Sequence, residues 1–461
     1  MAFPRPRTVI IGLSSFQALA MFRRGVFYTF LGVYLRAFLG LSVTETTLFE
    51  TIPMLLNILF QTFVWGRLAD RFQKRKTLIV WGELLAGAGH FLLWRLHAGA
   101  PDLRSSGWVI IWGLTVIEIF WSMSNIGWSA YVADLYAPAE RSAVQGKLAS
   151  VGGLGRIAGA LAGGFLYDRA GTAYAGWGFR EGAIFFTVGA VMLVSVLPFL
   201  AMPEGGLGRA ARKAAGSPRT AAGAGPEGNE AAEGTGPGIP RAGGDAAREG
   251  DFRAFAVFLV AMLLVNSGIN SLVAVKAQFL DLAEGFAASA RAISLMANVE
   301  SGALIVAGLS VALLSRRFGS GALMLAGAAS GALYLVSYAA SPSLALLFPL
   351  SALKGVSEGL LGAASYAFAA ALIPPEKRGR WFAAYNATFM LSWGLAATLV
   401  TGPVIDGLLA AGAGAVTAYR LGFLSSAFIT LLGLALLASL LAALKSGGVS
   451  ARRASPRGAG P

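Results

Sequence analysis

Charged and amide side chains are scarce within the apolar runs of this chain, and those present recur at helical spacing. Residues three or four apart share a helix face. Gln17, Arg24 and Tyr28 do so in one run; Glu118, Ser122, Asn125 and Ser129 do so in another. Asn57 with Gln61, Asn266 with Asn270, Asn298 near Glu300, and Lys354 with Glu358 complete the pattern. Such sets can hold a polar molecule. The carboxylates of Glu118, Glu300 and Glu358 can also carry protons, because shedding charge relieves the cost of burial.

The stretch "MFRRGVFYTF" (21–30) poses the sharpest question. It puts Arg23 and Arg24 near the middle of a run long enough to cross a bilayer, where a charge costs roughly 3 kcal/mol or more. Arg24 is expected to face a wet cavity, balanced by a carboxylate such as Glu118. The alternative is a structural ion pair that locks two helices. Arg23, turned about 100° away, is expected to bond carbonyls of a neighbouring helix, and Arg156 fits either role. Glu83 and His90, seven apart, read as packing or peripheral polar contacts.

The 461 residues are 56% hydrophobic and 13% charged, with a mean hydropathy of +0.65. Soluble domains carry about 25% charged residues, so the composition points to a polytopic α-helical membrane protein embedded in lipid. The net charge of +14 is then explained by basic loops on one side of the membrane and not by nucleic acid. With no cysteine and only His90 and His97, thiolate and histidine-rich metal centres and a Ser-His-Asp hydrolase are not expected. No metal, cofactor or enzymatic activity is expected. The opening "MAFPRPRTVIIGLSS" continues past Arg24 without a small-residue cleavage site and reads as an uncleaved first helix.

Twelve spans are expected, near 8–36, 46–69, 77–97, 107–132, 142–168 and 181–202, then 253–280, 288–315, 320–340, 343–371, 379–407 and 417–444. Both termini then lie on one side. That side would hold 25 Lys and Arg against seven on the other, with Arg23, Arg24, Arg156, Lys276 and Lys354 inside spans. The excess places both termini in the cytoplasm. Residues 1–202 and 253–445 are expected to form two six-helix bundles. Between them 203–252, rich in Gly, Pro and Ala, reads as a flexible linker, and 446–461 as a disordered tail. The halves look like repeats: "PAERSAVQG" (138–146) corresponds to "PEKRGRWFA" (375–383), Asp168 to Asp406, and Gly25 to Gly268. Parallel six-span repeats recur among secondary transporters.

Two motifs are more specific. "GRLADRFQKRK" (66–76) follows the second span. Its Gly66 would admit a neighbouring helix, Asp70 would meet a helix N-terminus or an arginine, and its basic cluster would face anionic headgroups. Taken alone it could equally be an ordinary basic loop. In place, it resembles the G-x-L-[AS]-D-R-x-G-[RK]-[RK] signature of the major facilitator superfamily, with Gln73 where glycine is usual. The resemblance implies a role in closing the cytoplasmic gate for Gly66, Asp70, Arg71 and Arg75, and "SRRFG" (315–319) looks like a degenerate counterpart. In "GLGRIAGALAGGF", Gly155, Gly159 and Gly163 recur every four residues beside Gly164, a face that permits close helix packing in membranes. It is also similar to the span-5 motif of antiporters in that family, with Ala160 where the motif has proline.

The resemblance covers the whole chain apart from linker and tails. It implies a transporter of alternating access whose first and fourth helices in each half line one central site. Arg24, Tyr28, Glu118, Asn125, Arg156, Asn266, Asn270, Glu300, Lys354 and Glu358 are the candidates for the substrate and proton pathway. No G-x-x-x-x-G-K-[ST] loop is present, so an ion gradient, with protons first, would drive transport. The expected activity is proton-coupled export of a small amphipathic molecule by a monomer in a bacterial inner membrane. Transport of an anionic metabolite is the alternative, and a non-transporting sensor or scaffold the reading from another class.

Overall fold

Long apolar runs with few charges form helices because lipid offers no partner for backbone N–H and C=O groups. The computed structural model describes residues 6–135, 138–204, 245–373 and 378–454. Nine of its helices among the described residues are long and apolar enough to cross a membrane. One of them, Ala290–Ala340, contains two passes broken at Gly319, whose φ of 77° places it in the left-handed region that glycine tolerates. Two further passes fall outside the nine. The first, Pro6–Val33, carries Arg23 and Arg24; the eleventh is split between Arg378–Leu391 and a short apolar piece, Ala397–Ala410. Together these make the twelve-span, all-helical fold of two six-helix bundles.

The spans are numbered 1 to 12 here. They correspond to Pro6–Val33, Val43–Phe60, Arg75–Ala98, Leu103–Leu135, Pro138–Tyr167 and Ala183–Ser195 in the first half. In the second half span 7 is Asp245–Asp281, spans 8 and 9 share Ala290–Ala340, and span 10 is Leu344–Leu372. Span 11 begins at Arg378, and span 12 is Ala415–Ala454. Helix therefore starts inside the segment expected to be linker and continues past residue 445 into the expected tail.

Local signals explain the helix ends. Ser42 and Glu45 form a reciprocal capping box at the start of span 2, and the Ser289 and Ser343 hydroxyls cap spans 8 and 10. Within the first half, span 1 packs on spans 5 and 6, and spans 3 and 4 on each other; within the second, span 7 packs on span 12 and spans 8 and 9 on span 10. The glycine face of span 5 lies against the backbone of span 1. A Cβ on Gly155, Gly159 or Gly163 would run into the backbone of Ala18, Phe22 or Val26, and Gly25 sits reciprocally against Arg156 and Ala160. Gly164, one step round the helix, faces Ala290 and Ser294 of span 8 instead.

The halves pack along spans 5 and 8 and are hydrogen-bonded to each other near the membrane face where span 1 ends and span 2 begins. The Asp406 carboxylate at the end of span 11 accepts from Val43 N at 2.9 Å and Thr44 N at 2.8 Å. It thereby satisfies the exposed N–H groups of a helix in the other half. The Thr398 hydroxyl bonds those of Thr47 and Thr51 at 2.8 and 2.7 Å, and Gln278 Nε2 donates to Thr46 Oγ1 at 2.9 Å. Ser294 Oγ donates to the Ala160 carbonyl at 2.8 Å.

Candidate functional site

The arginine pair of span 1 divides its work. Arg23 does not bond backbone carbonyls as expected; its Nη1 donates to Glu83 Oε2 at 2.9 Å, with both side chains buried. Nor is Glu83 peripheral. It is 1% exposed and also accepts from Ser124 Oγ at 2.8 Å and Ser195 Oγ at 3.4 Å. Spans 1, 3, 4 and 6 therefore converge on one carboxylate, which balances Arg23 and leaves Arg24 to face outward.

Arg24 stands with its guanidinium carbon 5.0 Å from the centre of the Trp121 ring, a cation–π contact. It makes no hydrogen bond or ion pair among the described residues. Glu118, expected as its balance, is instead held by Asn57 Nδ2 at 2.7 Å, and Gln61 Nε2 in turn donates to Asn57 Oδ1 at 2.5 Å. Arg24 and Glu118 do share a small cavity of about 30 Å³ with Tyr28, His90 and Trp121. That is room for one or two waters, which need about 10–15 Å³ each.

A larger cavity of about 310 Å³ lies beside it, between the halves. Arg23, Arg24, Gln17, Ser124 and Asn125 supply its polar lining. Trp121 and Trp128 of span 4, Trp393 of span 11, Phe16 and Phe389 form aromatic walls, with Met21, Met54 and Met390 between them. The volume falls in the range of small-molecule pockets, about 300–1,000 Å³. Among the described residues, no carboxylate lines it.

The remaining charges form a second cluster. Lys276 of span 7 pairs with Glu300 of span 8, and Lys354 Nζ lies 3.3 Å from Glu358 Oε2, one turn along span 10. Arg156 of span 5 is within electrostatic reach of Lys276 and Glu358. Asn270 Nδ2 donates to Ser392 Oγ at 3.0 Å, while Asn266 is buried nearby in span 7 without lining either cavity. The polar stripes thus meet in two groups, one within the first half and one mainly in the second with Arg156 of span 5 beside it, and not at a single point.

Two residues of these clusters went unassigned from the sequence. Glu50 is buried, one of its oxygens has no partner among the described residues, and Arg24 and Lys354 are the cations that act on it. Its signal was present, since Glu50 lies seven residues before Asn57 on the same face of span 2. Lys276 lies off the Asn266–Asn270 face, and its partner comes from another helix, so spacing alone could not find it.

In the loop after span 2, Gly66 meets no second helix among the described residues. Its neighbour is the Gln61 carbonyl of the π-turn Gln61–Trp65 in the same chain. Gln73 takes φ 55° and ψ 29°, the left-handed conformation for which glycine is the usual choice at that place. Arg75 donates to the Ala69 carbonyl at 2.5 Å and Gln73 Oε1 at 3.2 Å, tying the turn to the helix end. Arg71 is exposed beside Phe72, and the Asp70 side chain lies outside the described residues.

The sequence pattern described as the MFS_1 like family matches residues 18–421, most of the chain. The chain belongs to this family of the major facilitator superfamily. It is a multi-pass membrane transporter. No curated protein matches it in sequence. Among solved structures, it is similar to a mutant form of the nucleoside transporter NupG at TM-score 0.68 and 14% identity, over 94% of this chain and 99% of that one. A D-xylose–proton symporter gives TM-score 0.68 and 14% identity over 93% and 96%. A bacterial homolog of the human lysosomal transporter Spinster, inward-facing and unoccupied, gives 0.64 and 16% over 95% and 97%. At these identities the likeness is one of fold.

Proposed function

We propose that this transporter works by alternating access, its two six-helix halves rocking around the cavity between them, and that it exports a small amphipathic organic molecule in exchange for protons. The observation that carries the reading is a seal, among the described residues, toward the face where span 1 ends. The bonds that Asp406, Thr398 and Gln278 make across the halves lie toward the face where span 1 ends, whereas the cavity is lined by residues 16–24 of span 1, toward the other face. With the termini in the cytoplasm, as the distribution of Lys and Arg argues, that cavity faces inward and the seal is outer. A bacterial inner membrane and a monomer suit this arrangement. The proton is assigned to Glu118, which sits beside a pocket with room for water.

Inside-out vesicles energised to an acidic interior test the proposal. A transported compound should collapse the pH gradient, and Glu118→Gln should abolish the collapse. If no compound moves the gradient while counterflow of a labelled solute succeeds, proton exchange is wrong. Rocking has its own test, because the chain has no native cysteine. Thr47→Cys with Thr398→Cys, whose hydroxyls now lie 2.8 Å apart, should cross-link on oxidation and slow transport markedly, with recovery on reduction. Full activity in the cross-linked protein would refute alternating access about this seal.

A further inference from the structure

We infer that the larger cavity recognises the anionic group of an amphipathic aromatic molecule through the Arg24 guanidinium, with Trp121, Trp128 and Trp393 holding its apolar body. The inference rests on the transporter reading and names the substrate class of its cavity.

The charge pattern carries it. Arg23 is neutralised by Glu83, Lys276 by Glu300 and Lys354 by Glu358. Arg156 stands with the second cluster, away from the cavity wall. Arg24 alone combines a place in the lining with the absence of any hydrogen bond or ion pair among the described residues. Its planar fork of N–H donors matches a carboxylate or phosphate bidentately. The carboxylates around it do not line this cavity: Glu118 lines the small cavity and is held by Asn57, Glu83 is spent on Arg23, and Glu50, on which both Arg24 and Lys354 act, lies outside the lining. A cationic ligand entering the larger cavity would meet the uncompensated Arg24 charge and, among the described residues, no lining carboxylate.

The walls specify the rest of the ligand. Three indole rings, two phenyl rings and three thioethers offer a flat, polarisable surface for an aromatic body. Gln17 and Asn125, which make no hydrogen bond among the described residues, can bond neutral polar groups along its edge.

A charge series on one aromatic frame tests this in purified protein: 2-naphthoate, 2-naphthamide and 2-naphthylmethylammonium, followed by quenching of tryptophan fluorescence. Naphthoate should bind about tenfold more tightly than the amide, the worth of one charge-assisted hydrogen bond, and the ammonium compound weakest. Arg24→Gln should erase the preference for naphthoate, Arg24→Lys should keep part of it, and Arg104→Gln, at an exposed pair with Glu45, should leave it unchanged. Tighter binding of the ammonium compound, no saturable naphthoate binding at millimolar concentration, or a preference that survives Arg24→Gln would overturn the inference. The series on the unaltered protein decides the matter even if Arg24→Gln fails to fold. Proteoliposomes separate the two readings. Arg24-dependent naphthoate binding without transport of any of the three would sink transport and leave the site. Transport of the ammonium compound without naphthoate binding would do the reverse.

Discussion

At the scale of single residues, Glu83 accepts hydrogen bonds from Arg23, Ser124 and Ser195 in an apolar interior, so its removal strands a buried guanidinium. Breaking such a pair from one side costs about 3–5 kcal/mol. Glu83→Ala should lower the unfolding midpoint in detergent sharply. The double change Arg23→Met with Glu83→Leu should regain most of the loss, because neither charge is then left buried. A midpoint for Glu83→Ala close to that of the unaltered protein would show that Arg23 is solvated. Both residues were visible in the sequence as charges in apolar runs. Their pairing was not, since they stand 60 positions apart on helices whose relative rotation spacing does not encode.

Helices set the next scale. Span 5 touches span 1 through glycines whose missing side chains leave room only for backbone. Gly159→Val would drive two methyls into the Phe22 carbonyl. Overpacking costs about 1–3 kcal/mol, and folded yield should fall on size-exclusion chromatography. Gly302→Ala, with open space beside it, should fold normally; equal yields of the two variants would mean that the glycine face does not bear the contact. This packing was legible from the four-residue recurrence alone. The cap that Asp406 places on span 2 was not. Its repeat counterpart, Asp168, bonds Gly171 N in its own loop, at 3.0 Å, so the repeat held no hint of a contact across the halves. Asp406→Ala removes charge-assisted bonds of about 1.5–3 kcal/mol each. The population open on this face should then rise roughly tenfold or more, read as faster labelling of Thr398→Cys by an impermeant maleimide. Unchanged labelling would mean that the cap does not hold the seal.

Over the whole molecule, the formal charges named inside the spans cancel, five against five, once Glu50 and Glu83 are counted with Glu118, Glu300 and Glu358 against Arg23, Arg24, Arg156, Lys276 and Lys354. A balanced interior suits a machine that must pass through states of different exposure without leaving a bare charge in lipid. Glu50 joins the halves: it is buried in span 2, Gly394 of span 11 packs on its Cβ, and Lys354 of span 10 acts on it. Glu50→Gln should slow exchange between the two faces, seen as a lower maximal transport rate with little change in naphthoate affinity. Loss of affinity with an unchanged rate would place Glu50 in the binding site and not in the conformational step.

The amino-acid sequence by itself determined the number of passes, the glycine seam and the polar stripes. These depend on run length and on the 3.6-residue helical period, which are properties of one segment at a time. Tertiary structure decided which stripe meets which. Each helix can turn about its axis and slide in depth at no cost to its own hydropathy, so the partners of Arg23, Lys276 and Asp406 follow from packing between segments. The same freedom left Arg24 without a polar partner among the described residues, because Glu83 took Arg23 and Asn57 took Glu118.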